Sequence, residues 1–83
     1  MENHSTQIQR TKLLTYLFEN GSATTTEIRH DLDILQPAAR IHELRHDQNI
    51  NITTTWDIAE NPGGSSHKVA RYTLLTGKYK EAA

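Results

Sequence analysis

Residues 24–45 read TTTEIRHDLDILQPAARIHELR, and two short helices joined by a brief link can be read from them. Thr24 is followed three residues on by Glu27, the spacing of a capping box. The hydroxyl accepts from a free backbone N–H in the first turn, and the carboxylate accepts from the N–H of the capping residue. Ala23 and Ile28 flank the box at the positions of a hydrophobic staple. Ile28 and Leu32 stand four apart, so the helix is expected to continue to about Leu32. Asp33-Ile34-Leu35 then forms a three-residue link. Pro37 suits the first position of the next helix, where an N–H is not needed and φ is already fixed, and Gln36 falls at its cap. This helix is expected over 37–47, with Pro37, Ile41 and Leu44 facing inward. At about 100° per residue, Ala39, His42, Glu43 and His46 point outward, and Arg40 and Arg45 lie on opposite flanks.

Working outward, an earlier helix is expected from Thr6 to Asn20. Leu13, Leu14, Leu17 and Phe18 form its apolar stripe, and Asn20-Gly21 ends it, glycine tolerating the left-handed conformation past a helix end. Ser22-Ala23 has room for a very short strand. Downstream, Ile50, Ile52, Thr54, Trp56 and Ile58 recur at period two and predict a strand. The run from Asn61 to Ser66 is a loop by its Pro, Gly and Ser content. Ala70, Tyr72 and Leu74 alternate again and predict a second strand from about His67 to Leu75. Trp56 and Tyr72 stand at inward positions of these strands and are expected in the core. A hairpin of two strands is unstable alone and must pack on the helices. The resulting α+β order, three helices followed by a two-stranded C-terminal β-hairpin, is that of a winged helix-turn-helix. One domain is expected over 6–76, with flexible tails at 1–5 and 77–83.

The totals narrow the range of functions. Eighty-three residues support one small core and leave little room for a deep substrate cavity. The absence of cysteine excludes disulfides, thiolate nucleophiles and cysteine-based zinc fingers. The N-terminal MENHST has neither a basic start nor an apolar run, so a signal peptide is not expected. No apolar stretch reaches membrane-spanning length, and a cytoplasmic protein is expected. The net charge is −1, which weighs against a phosphate-binding role, but its distribution is uneven. Residues 1–20 balance, 21–47 and 48–60 are acidic, and 61–83 are basic through Lys68, Arg71, Lys78 and Lys80.

The run GSATTTEIRHDLDILQPAARIHELR, residues 21–45, resembles a small helix-turn-helix family common in bacteriophages and prophages. That family shows a Gly-Ser/Thr-hydrophobic-Thr-x-x-Glu start, a short link and an Ala-Ala-Arg-Ile-x-Glu-Leu-Arg helix, here Ala38 to Arg45. It then carries a strand, a glycine-containing wing and an Arg-Tyr-x-Leu strand, matched by Arg71-Tyr72-Thr73-Leu74. The resemblance covers roughly residues 8–75. It implies a double-stranded DNA-binding protein without enzymatic activity or cofactor, a regulator of transcription or an accessory factor of recombination or excision.

In such a fold the third helix enters the major groove. Gln36 suits adenine, and Arg40 suits guanine or phosphate. His42, Glu43, Arg45, His46 and Ala39 complete the candidate reading face. Arg40 and Glu43 are also spaced for an intrahelical ion pair. On the wing, His67, Lys68 and Arg71 are candidates for phosphate contact. A module this small offers little contact area, so a homodimer or a cooperative array is expected. A protein-binding winged helix is the competing class, and the acidic middle of the chain favours it. His42-Glu43-Leu44-Arg45-His46 matches the zinc-protease pattern H-E-x-x-H. No third ligand follows at a suitable spacing, since positions 49 and 52 are Asn and Ile. Glu43 through Arg45 is also accounted for by the family resemblance, and no metal site is expected.

Overall fold

The computed structural model describes residues 5–60 and 63–79. Helix α1 spans Thr6–Asn20, strand β1 Ser22–Thr24, helix α2 Thr25–Asp31, helix α3 Pro37–Gln48, strand β2 Ile50–Glu60 and strand β3 Ser66–Lys78. Each boundary has a local cause. Ser5 caps α1, its hydroxyl accepting from the Ile8 N–H at 3.2 Å, and Gly21 ends that helix at φ +86°. The capping box of α2 is complete: the Thr24 N–H donates to Glu27 at 2.9 Å, and the Glu27 N–H donates to the Thr24 hydroxyl at 3.2 Å. Pro37 opens α3, and Asn49 closes it in the left-handed region.

The three strands form one antiparallel sheet in the order β1-β3-β2. The central strand β3 pairs with β1 through Ser22↔Thr73 and Thr24↔Arg71, and with β2 through Trp56↔Ala70 and Glu60↔Ser66. The register between β2 and β3 slips between Ile50 and Ile52, where β3 takes up extra residues. Gly77 supplies a φ of +83° in that segment, and the Asn51 amide donates to the Thr76 carbonyl at 2.8 Å. A bulge of this kind bends the strand it lengthens.

The core draws on every element. Leu13 and Leu17 from α1, Ala23 from β1, Ile28 from α2, Ile41 and Leu44 from α3, Ile52 from β2, and Ala70 and Tyr72 from β3 are all buried. Ile34, in the link between α2 and α3, is also fully buried.

Three sequence expectations are corrected. Phe18 is 80% exposed. It sits more than a quarter turn round α1 from Leu13 and Leu17, beyond the side that the other elements cover. Trp56 is 66% exposed although it lies on the same sheet face as buried Ala70 and Tyr72. The hairpin runs past the helices there, so the inward face has nothing to pack on; Ile58, further out, is 65% exposed. The tail boundaries also move. Gly77 and Lys78 belong to β3, with Lys78 opposite Ile50, and Ser5 is engaged as a cap. The expected loop at Asn61-Pro62 and the tails at 1–4 and 80–83 lie outside the described residues.

Candidate nucleic-acid interface

Helix α3 turns three faces to three surroundings. Pro37, Ile41 and Leu44 enter the core. Arg40 turns toward α1, where its guanidinium donates to Gln9 at 3.2 Å and to Glu43 at 2.9 Å. Arg45 turns the other way, toward the wing. Its Nε donates to the Ile52 carbonyl at 2.8 Å and its Nη2 to the Thr54 hydroxyl at 2.6 Å. The same guanidinium lies 5.3 Å from the Tyr79 ring centre and 6.0 Å from that of Tyr72. Arg45 thereby fastens the end of α3 to the base of the hairpin. The outward stripe left over is Ala39, His42 and His46; Glu43, expected on this face, is instead drawn toward α1 by Arg10 and Arg40, and Asp47 stands exposed beside the stripe, one residue past His46. The two imidazoles stand 4.2 Å apart, and His46 meets Tyr79 edge-on at 5.5 Å.

Glu43 is held between two cations. Arg10 of α1 donates to it at 2.9 Å, as does Arg40. Burial pushes the carboxyl pKa up, but the hydrogen bonds and charges of Arg10 and Arg40 outweigh it and hold the group below the usual carboxylate range. The position of Glu43 in H-E-x-x-H is therefore taken by a helix-to-helix ion pair. Among the described residues no three His, Asp or Glu gather to hold a metal.

A depressed folded-state pKa fixes the sign of a pH effect. The contribution of Glu43 is complete above its unfolded value of about 4.3 and fades as pH falls through the lower folded value. Glu43→Gln should therefore melt below the parent at neutral pH, and the gap should close on acidification below about pH 4. A gap that stays constant with pH would show that the carboxylate charge contributes nothing.

On the wing, Arg71 is likewise engaged. Its Nε donates to Asp57 of β2 at 2.7 Å and its Nη1 to Ser22 of β1 at 2.8 Å, so one guanidinium braces all three strands. The hydrogen bond to Asp57 raises its pKa further. His67 and Lys68 are exposed near the start of β3. Gln36 makes no side-chain cap bond and remains exposed beside the first turn of α3.

The structure thus gathers Gln36, Ala39, His42, Arg45 and His46 along one side of α3, with Lys68 across from its first turn. It commits Arg40, Glu43 and Arg71 to internal ion pairs. Those pairs consume cations as well as carboxylates, so the net charge of −1 still weighs against general phosphate affinity. Arg29, Leu35, Trp56 and Tyr79 also border this surface and were not singled out for it from the sequence. Only their long-range neighbours place them there.

The model of the winged helix-turn-helix domain matches residues 8–77. The chain belongs to this family, whose fold points to DNA as the partner. No curated protein and no solved structure matches the chain. Among the described residues, no helix is long and apolar enough to cross a membrane.

Proposed function

We propose that this protein is a sequence-selective binder of double-stranded DNA without catalytic activity. It acts in the cytoplasm as a phage or prophage regulator of transcription or as an accessory factor of recombination or excision. The observation that carries the reading is the outward stripe of α3, Ala39, His42 and His46, with the small Ala39 at the end that would approach base edges. Gln36 reads bases at the start of the helix, His42 and His46 extend the contact, and Lys68 meets the backbone from the wing. Arg40 and Arg71 support from behind, holding α3 to α1 and the strands to one another. With so little contact area per copy, binding is by a dimer or by several copies on repeated sites.

The test is a mobility shift on DNA flanking the gene, at low and at physiological salt, against random duplex. A specific complex is expected. Equal retention of random duplex removes the claim of selectivity, and no complex at either salt removes the DNA reading. Lys68→Ala should weaken binding to all duplexes alike and lower the salt slope by about one. An unchanged slope would remove Lys68 from the phosphate contacts.

A second reading, a module that binds a host or phage protein, is favoured by one observation. Trp56, Ile58 and Leu35 are large, apolar and exposed, as they would be on a protein-docking surface.

A further inference from the structure

Between the last turns of α1 and the ends of β2 and β3 runs an open groove of about 610 Å³. Its apolar walls are Leu14 and Phe18 from α1, Ile50 from β2, and Leu74 and Leu75 from β3. Leu14, Ile50 and Leu74 pack against the core, but Phe18 is 80% exposed and Leu75 46% exposed. Large apolar side chains left in water beside an apolar groove mark a contact surface. The rim carries two charges of opposite sign. Glu19 lines the α1 wall, and Lys78 follows Gly77 of the strand wall. Both are exposed, and neither pairs with another charge among the described residues. None of Gln36, Ala39, His42, His46 and Lys68 lines this groove, so filling it does not consume the face described above.

We propose that this groove is a dimer contact, filled by Phe18 of a second copy of the chain across a two-fold axis that runs along the groove. The patch carries its own complement: a projecting aromatic ring and, beside it, an apolar groove that the ring does not fill in its own chain. An isologous contact uses the same patch on both sides, so one two-fold axis seats both rings at once. With the axis along the groove, the α1 wall of one copy meets the strand wall of the other, and Glu19 faces Lys78 on each side. A rim of one sign would select a foreign partner of the other sign; this mixed rim is complementary to itself. A standard contact covers about 800 Å² of each partner, roughly a seventh of the 5700 Å² surface of this chain, and one groove with its rim supplies no more than that. Pairing is therefore expected in the micromolar range. The use of the pair rests on the DNA-binding reading above: two α3 helices related by a two-fold axis read an inverted repeat.

The test is analytical ultracentrifugation of the full chain without DNA, from low micromolar to submillimolar concentration. One copy should convert reversibly to two, and the mass should stop there. Phe18→Ala should weaken pairing by about thirtyfold, the scale of a central aromatic anchor. The side chain is exposed and alanine suits a helix. Its thermal melt, at a concentration where the parent is a single copy, should therefore match the parent, which separates lost contact from lost fold. Glu19→Lys and Lys78→Glu should each weaken pairing by about fivefold, and the two together should restore it. A parent that stays single throughout leaves the groove to another occupant, and a Phe18→Ala chain that pairs like the parent puts the contact elsewhere. Either result overturns the proposal and leaves the DNA reading standing. A mass that climbs past two copies would mean a head-to-tail contact and would overturn the two-fold pair. If pairing follows Phe18 as expected but no duplex is bound, the dimer contact holds and the DNA reading fails.

Discussion

Replacing Ile34 by alanine should remove about 2–5 kcal/mol of folding stability, the range for emptying a fully buried aliphatic site. Ile34 lies between α2 and α3, outside both helices, yet it is fully buried. The chain is brought there by Asp33, which takes a φ of +57°, and the Ile34 N–H then donates back to the Ile28 carbonyl at 3.4 Å. The side chain is thereby wedged among the residues that α2 and α3 turn toward α1. A small domain holds only roughly 5–10 kcal/mol in total, so the loss is a large share of what keeps the protein folded. It also acts where the angle between α2 and α3 is set. Urea denaturation should show a much lower midpoint for Ile34→Ala, while Ile34→Val should cost about 1 kcal/mol. A loss well under 1 kcal/mol for the alanine variant would mean that the link is not anchored by this side chain.

The second large effect is on binding. Ala39→Glu should reduce affinity for duplex DNA by about a hundredfold, because a carboxylate placed against phosphates and base-edge acceptors costs several kcal/mol. Position 39 is half-exposed near the start of α3, on the outward stripe. Glutamate is a good helix former, so the fold should survive, as a thermal melt would show. Thr6→Glu provides the control. Thr6 is exposed on α1, and its substitution changes net charge by the same amount. If both variants lose affinity equally, the effect is one of overall charge and α3 does not face the DNA. If Ala39→Glu binds as the parent does, the reading face lies elsewhere.

Much of the scaffold is legible from local chemistry. The capping box at Thr24 and Glu27, the glycine after Asn20 and the proline at position 37 each act within one helical turn, and each boundary falls where they place it. Alternation in the hairpin is read correctly as strand, and Tyr72 is buried. What escapes is set by distant parts of the chain. Periodicity says which side of β2 Trp56 occupies, but not that the helices stop short of it. The same holds for Phe18 on α1, whose apolar stripe is wider than the surface available to cover it. Ile34 reads as a link residue because nothing local shows that Asp33 will turn the chain inward. Among the charged residues, the i,i+3 pair of Arg40 with Glu43 is visible from spacing. The partners Arg10, 33 positions away from Glu43, and Ser22, 49 positions away from Arg71, are not.

The pairing of Ser22 with Thr73 bears on how the chain assembles. The hairpin of β2 and β3 closes over a short tip, and helix turns form locally, so both can appear early. β1 can join only after a loop of some fifty residues has closed, and that entropy is lost before the contact returns anything. The topology thus orders the steps, with the short strand after α1 arriving late. Damage at the buried Ala23 would then quicken unfolding more than it slows folding. The rate at which this domain opens would be governed by three residues at one edge of the sheet.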